Sequence, residues 1–460
     1  MAFASRATLA LALFSASAAL PASAVVCVDP DDASCQPTIQ AGVNAAAPGE
    51  VVEVGAGLYG EAVVIATQGV TLRGGKGAFI DPSGLGGGAH AITVNAADVV
   101  IEDIAIRNGD HSGIVVNGVG GTRIRDVDFH SPDDRCIDLS GTTPNVVIEG
   151  SRFRSCRNEV VNSDDSDGLQ VLGNDFEGSG GVDAVGDDVR VERNTFSRID
   201  DTCLFIDGDG AVVTGNRLTL CADGIEIDGN DASVTRNTLT NIDFSGIDVV
   251  GDDPVIESNP ITDTDGDGIE VLCDESCGAA RIYRNRLSGI GATGIDATAN
   301  GSGLRVEANQ VSQTEGPGLV LNTIGANVLG NRVSAAGGGG DECIDLDGDS
   351  NTVSGNGLAS CGADGIQVDG DDNVIEENRV SGTGDDGIDV VGGGSTGNDV
   401  LDNQASGATD NGIEVSVDAS GTIVSENQAS GLHAGYCDAG AATGGTDVAD
   451  ATSGCGDIDD

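Results

Sequence analysis

The chain has no tryptophan, one methionine, three tyrosines and nine phenylalanines among its 460 residues. A core of large aromatic side chains is excluded, and so is a sugar site that stacks on an indole ring. Lysine is scarce too: Lys76 stands alone beside 20 arginines, against 75 acidic residues, for a net charge of −54. Phosphate binding needs clustered cations, so nucleic acid and anionic membrane are poor partners. Helical periodicity is missing from the repeats, and only residues 7–20 form a long apolar run. With Arg6 before it and Ala22-Ser23-Ala24 after it, that run reads as a signal peptide over residues 1–24, too short to span a membrane. The mature chain is therefore expected to be soluble and exported, in the periplasm or outside the cell.

Glycine, at 72 residues, and repetition are what the chain has in quantity. Asparagine recurs at 174, 194, 216, 237, 259, 285, 309, 331, 356, 378, 403 and 427, each time two places before an apolar residue, at a mean interval of 23. A second motif keeps step with it: Gly224-Ile225-Glu226-Ile227, Gly246-Ile247-Asp248-Val249, Gly268-Ile269-Glu270-Val271, Gly387-Ile388-Asp389-Val390 and Gly412-Ile413-Glu414-Val415. Such self-similarity marks a solenoid, whose turns bury a core only by stacking. Within a repeat, Val189-Arg190-Val191-Glu192 alternates apolar with charged, as a half-buried strand does. Short strands that return to register every 23 residues describe an all-β, single-stranded parallel β-helix, right-handed by the sterics of parallel crossovers. Counted from Val70, about 15–16 coils are expected, a rod of roughly 70–80 Å at the strand spacing. Thr38 to Ala46 reads as an amphipathic helix capping its start. The segments are then residues 1–24 (signal), 25–66 (cap and first strands), 67–432 (β-helix) and 433–460 (an acidic Gly/Ala/Asp-rich tail).

Twelve cysteines form six local pairs: Cys27–Cys35, Cys136–Cys156, Cys203–Cys221, Cys273–Cys277, Cys343–Cys361 and Cys437–Cys455. Six disulfides in an oxidising compartment is the direct reading. Cys136, Cys203 and Cys343 each precede a strand-starting Ile or Leu, and their partners fall just short of the equivalent point one turn later. Turns stacked about 4.8 Å apart suit a disulfide, which holds Cα atoms roughly 4.4–6.8 Å apart, so these pairs are expected to clip turn to turn. Zinc is disfavoured, because paired Cys-x₂-Cys knuckles are absent.

The stretch Thr38-Ile39-Gln40-Ala41, then Ala47-Pro48-Gly49-Glu50-Val51-Val52-Glu53-Val54, then Gly57-Leu58-Tyr59-Gly60-Glu61 resembles the opening of pectate-lyase-like right-handed β-helix proteins, NosD-type periplasmic β-helices among them. With the repeats, the resemblance covers about residues 38–430. It implies architecture and export but no single reaction, because that family holds lyases, hydrolases, epimerases, esterases, adhesins and scaffolds. The catalytic segments of pectinesterases, polygalacturonases and alginate epimerases have no match here.

Three groups of residues carry candidate chemistry. The acids of the Gly-Ile-acid-Val strands (Asp138, Glu226, Asp248, Glu270, Asp296, Asp345, Asp389 and Glu414, interrupted by Phe205, Val320 and Gln367) should form an outward file about 5 Å apart. Carboxylates that close repel, raise one another's pKa and favour divalent cations, although a solvated face is the plainer reading. The second group lies in acidic turns with oxygen ligands around a glycine: Asp263, Asp265 and Asp267; Asp345, Asp347 and Asp349; Asp369 and Asp371. These are candidate Ca²⁺ ligands, although Asp and Gly are also ordinary turn residues. The third gathers His90, His111 and His130 with Asp133, Asp134 and Arg135. No other part of the chain mixes His, Arg and Asp, so an active or transition-metal site is sought there.

The sequence thus points to a non-catalytic exported rod, a surface or matrix scaffold that meets divalent cations, extracellular glycans or a protein partner. Calcium is the expected cofactor, and no organic cofactor is implied. The alternative is a polysaccharide lyase or glycoside hydrolase acting on an acidic polysaccharide, with His111, His130, Asp133, Asp134 and Arg135 as catalytic candidates. A periplasmic maturation factor of NosD type is a third reading, weakened by scarce histidine and by the disulfides.

Overall fold

The computed structural model describes residues 25–432 except 110, 131, 133, 179, 274–276, 300, 339, 393–394 and 417–418, together with the backbone of 434–438 and 448–449. The signal segment, the side chain of Cys437 and all of Cys455 lie outside the described residues, and with them the expected pair Cys437–Cys455.

Each turn contributes one strand to each of three parallel sheets, called A, B and C here. The first full turn runs Val51–Val54 in A, Gly57–Tyr59 in B and Val63–Ile65 in C. Arg190–Glu192, Thr195–Ile199 and Leu204–Asp207 form a typical later one. Sheet A has 18 strands among the described residues, and the rod comprises about 17 turns. Two strands of sheet A, Val25–Val28 and Val51–Val54, stack in register before Val70. Neither carries the Asn or Gly-Ile signature; they lie ahead of the 15–16 coils counted from Val70, in the segment read as cap and first strands, and bring the total to about 17 turns. At the other end, Ala434–Asp438 and Val448–Ala449 extend sheets C and B into the segment where the sequence repeat has faded.

The core is a series of one-residue files. Tyr59, Ile80, Ile106, Phe129, Phe153, Phe176, Phe196, Leu218 and Leu239 occupy one position of sheet B in consecutive turns. The four phenylalanine rings stack face to face, with centroids 4.9, 4.7 and 4.5 Å apart. The glycine that opens each Gly-Ile-acid-Val strand is required by the next turn. A Cβ on Gly224 would lie 2.1 Å from the carbonyl oxygen of Gly246.

The turn from sheet A to sheet B is a left-handed residue followed by the repeating asparagine. Arg193, Arg236, Arg284 and Glu377 hold φ of 54–56°, and Gly150, Gly173, Gly215, Gly330 and Gly355 take the same place. The asparagines are buried and form one continuous ladder. Asn237 Oδ1 accepts from the backbone N–H and Nδ2 of Asn216 at 2.9 and 3.0 Å, while its own Nδ2 donates to the Val213 carbonyl at 2.9 Å. A second, shorter ladder, Asn351, Asn373 and Asn398, lies ahead of sheet A in the last turns.

Helix α1, Ile39–Ala45, packs Ile39, Gly42 and Val43 against the first strands. Its N-terminus is capped by Thr38 Oγ1, which accepts from Ala41 N–H, and by Glu61, whose two oxygens accept from the Ile39 and Gln40 N–H groups. Cys27–Cys35 closes this cap region, while Cys136–Cys156, Cys203–Cys221 and Cys343–Cys361 join adjacent turns at Cα separations of 5.7, 5.7 and 5.2 Å. Cys273–Cys277 closes a local loop.

Candidate functional site

The outward position at the centre of each sheet C strand forms the expected file. It runs Asp138, Asn162, Asp183, Phe205, Glu226, Asp248, Glu270, Asp296, Val320, Asp345, Gln367, Asp389 and Glu414, each in register with the next. Asn162 and Asp183 were missed in the sequence because no Gly-Ile pair precedes them; the alternation Val182-Asp183-Ala184 was the available signal.

The three sheets treat charge differently. On sheet A, Glu102 is buried between Arg73 and Arg125, and on sheet B Asp128 meets both His130 and Arg154. In the turns from sheet B to sheet C, Arg135 and Arg157 stand early in the rod, and every later arginine of the described chain lies on A, on B or in the turn between them. Sheet C is therefore an acid face without internal neutralisation over most of its length. Burial, then Glu270 and Glu226, pushes Asp248 up to about 7. Burial, then Asp267 and Glu270, pushes Asp296 up to about 6. Burial also raises Glu226 and Glu270. Phe244, 60% exposed, projects from the turn entering the Asp248 strand.

Toward the far end the acids converge. Asp364, Asp385 and Asp386 form one group, and Asp386, Asp410 and Glu414 a second, each with one oxygen per residue within 4.8 Å of the others. Asp364 and Asp386 are each only 6% exposed. Backbone and amide donors fix their orientation. Asp364 Oδ1 accepts from Asp386 N–H at 2.7 Å, Asp386 Oδ1 from Asn411 N–H at 2.6 Å, and Glu414 Oε2 from Asn411 Nδ2 at 2.6 Å. Asp389 Oδ1, alongside, is buried without a hydrogen-bond partner. Burial is the main cause raising Asp364, to about 7, and Asp386 further; repulsion from neighbouring carboxylates adds to both. Oxygen-only ligands at such spacing suit a hard divalent cation.

The turn aspartates singled out from the sequence are placed otherwise. Asp263 and Asp265 are exposed, and Asp267 Oδ1 accepts from Thr293 N–H at 2.7 Å. Asp345 stands in the sheet C file, with Asp347 and Asp369 at exposed strand ends. Asp349 Oδ1 accepts from Asp371 N–H at 2.8 Å, and Asp371 Oδ1 from Thr396 N–H at 2.7 Å, so these two staple turn to turn. None of the eight belongs to either converging group.

In the early turns, His90 and His111 are ring neighbours, with centroids 4.8 Å apart. His111 Nδ1 lies 3.0 Å from Asp134 Oδ2, and Asn158 Nδ2 donates to Asp134 Oδ1 at 2.6 Å. Arg135 Nε donates to Glu159 Oε2 at 3.2 Å and its NH1 lies 3.6 Å from Asp138 Oδ1. His111, Asp134 and Arg135 thus come together. His130 sits on sheet B, its Nε2 3.1 Å from Asp128 Oδ2, and Asp133 lies outside the described residues. A cleft of about 440 Å³ opens beside this group, lined by Arg157, Asn158, Glu159, Gly180, Asp200 and Asp201 among others.

Three stacked parallel sheets wound by one chain, with an asparagine ladder inside, define a parallel β-helix. The model of the right handed beta helix region matches residues 64–196, 223–342 and 342–438, more than half of the chain, and the protein belongs to that family. No curated protein matches it. Among solved structures it is similar to the A-module of the mannuronan C-5 epimerase AlgE6 of Azotobacter vinelandii, at 13% identity over 85% of this chain and 93% of that one, with a TM-score of 0.35. It is also similar to PfbA, a surface adhesin of Streptococcus pneumoniae, at 12% identity over 76% and 86%, with a TM-score of 0.38. A third is the PL6 family polysaccharide lyase Pedsa3628 from Pseudopedobacter saltans, at 12% identity over 70% and 83%, with a TM-score of 0.35.

Proposed function

We propose that the chain is an exported, non-catalytic binding rod whose sheet C face takes up divalent cations, Ca²⁺ first among them, and presents that face to extracellular glycans or a protein partner. The observation that carries this is the pair of carboxylate groups around Asp386, oxygens within 4.8 Å of one another, on a face where no arginine or lysine follows Arg157 among the described residues. Bringing such carboxylates together is unfavourable unless they are protonated or share a cation. A cation supplies the missing counter-charge, as the arginines do for Glu102. Disulfides between turns suit a protein that works outside the reducing cytosol.

Titration calorimetry of the mature chain with CaCl₂ tests this. Binding is expected, with the melting midpoint raised in proportion to ln(1 + [Ca²⁺]/Kd) and lowered by chelator. In Asp386→Asn, which sits in both groups, affinity should drop at least tenfold. An unchanged midpoint with and without chelator would sink the proposal.

A further inference from the structure

Two files of opposite sign run along the later turns in step. From Arg286–Ile290 to Gln404–Ala408 the six strands of sheet B carry no aspartate or glutamate, in a chain with 75 acidic residues. Their opening outward position reads Arg286, Gln310, Arg332, Gly357, Arg379 and Gln404, one turn after another. The next outward position holds only serine or alanine, so the arginines project from a flat polar face. All three arginines are exposed, and none makes an ion pair among the described residues. Sheet C answers in the same turns. The strand that follows Arg286 carries Asp296, that after Arg332 carries Asp345, and that after Arg379 carries Asp389. The turns of Gln310 and Gly357 carry Val320 and Gln367. The pattern extends backward, since Arg217 shares its turn with Glu226, and Thr195 shares its turn with Phe205. From Thr195 onward, every arginine at the opening of a sheet B strand has an acid on the next strand of sheet C, and every neutral residue in the sheet C file has a neutral one on sheet B. Burial, then neighbouring carboxylates, pushes Asp345 up to about 6 and Asp389 to about 8, so these acids lack a counter-charge within their own copy.

We infer that the chain associates side by side with a second copy of itself, sheet B of one rod lying along sheet C of the next, so that Arg286, Arg332 and Arg379 meet Asp296, Asp345 and Asp389 of the other copy. Both files advance by about 4.8 Å per turn, so pairs two turns apart, about 10 Å, come into register together. Rods pointing the same way also align Arg217 with Glu226. Opposed rods centred on Arg332 and Asp345 carry Arg217 past Glu414, so the parallel arrangement satisfies more of the charge. The contact joins two different faces and is heterologous, which leaves each pair with a free sheet B at one side and a free sheet C at the other, and growth continues into a ring or an open array. Exposed ion pairs are worth little singly, and the net charge of −54 opposes approach until salt screens it. The association is therefore weak, with the pairs fixing partner and register more than affinity. The inference names the partner of the sheet C face and rests on the reading of that face as a binding surface, but it needs no cation, so the two are tested separately.

Sedimentation velocity of the mature chain at 0.15 M NaCl, with chelator present, tests it. The weight-average mass should rise with protein concentration up to about 0.5 mM. Arg332→Glu and Asp345→Arg should each weaken association at least tenfold. Their equimolar mixture should associate as wild type does, because each variant keeps the face that the other has lost. Melting curves check that each variant folds; should Asp345→Arg not fold, Asp345→Asn takes its place in the mixture. For the register, a chain carrying Arg286→Cys should form an intermolecular disulfide with one carrying Asp296→Cys and not with one carrying Asp389→Cys, which only opposed rods bring together. A wild-type chain that stays monomeric at about 0.5 mM overturns the inference, whatever the calcium titration shows, and so does a mixture that associates no better than its components. Cross-linking through Asp389→Cys alone, or through neither position, overturns the parallel register.

Discussion

A single asparagine in this chain does the work of several backbone groups. Its Oδ1 occupies two donors of the turn before, and its Nδ2 serves a carbonyl and the next asparagine. Replacing it leaves those buried groups without partners. Asn237→Ala is expected to destabilise the rod by about 3 kcal/mol, the scale of one or two unsatisfied buried polar groups. Hydrogen exchange at the Asn216 amide is the local readout, and protection equal to wild type would refute the assignment. The left-handed residue ahead of each asparagine is a second constraint at this scale. It makes glycine common there, and tolerates Arg, Glu or Asp where the side chain points to water.

At the scale of the element, the unit of stability is the file. The sheet B file is widest at Phe129, Phe153, Phe176 and Phe196, and narrows to Leu218 and Leu239 in the following turns. A cavity inside the aromatic stretch cannot be filled from above or below, because neighbouring rings are held by their own strands. Phe176→Ala should therefore cost about 3–5 kcal/mol, and Phe176→Leu markedly less, since leucine already fills the same position further along. Denaturant titration of both variants checks the difference; similar losses would mean that ring stacking, and not filled apolar volume, sets the stability of the file. Disulfides between turns act on the same unit by tying one turn to the next.

For the whole molecule, the decisive property is that charge is sorted by face. Sheets A and B neutralise their acids with arginine, and sheet C over most of its length does not. Four consecutive file members, Glu226, Asp248, Glu270 and Asp296, are all raised, mainly by burial. A carboxyl raised in the folded state holds a proton that the unfolded chain has released, so stability falls as pH climbs from about 4 through the folded values near 6–7. In chelator, the melting midpoint should accordingly be higher at pH 5 than at pH 8. Calcium should act in the opposite sense, stabilising more at pH 8, because its ligands must be deprotonated. Thermal melts at the two pH values, each with and without CaCl₂, give four midpoints, and a midpoint in chelator that rises with pH contradicts the arrangement.

Periodicity alone determined the coil, the file of asparagines, the disulfide pairing of the five described bridges and the line of Gly-Ile acids. Each of these follows from one repeat meeting its equivalent at a fixed distance, which spacing in the chain encodes. Where the repeat signature was blurred, the reading thinned out: the first strands of sheet A were foreseen within residues 25–66 but not counted as coils, and Asn162 and Asp183 in the file and the shorter ladder from Asn351 to Asn398 were legible only in the fold. Convergence within one corner was beyond the sequence altogether. Asp364, Asp385, Asp386, Asp410 and Glu414 come from three turns, and whether their oxygens meet or diverge depends on how each turn bends between sheets B and C. The same holds for His130, only five residues from Arg135 yet committed to another face, because one turn of the chain directs them to different sheets.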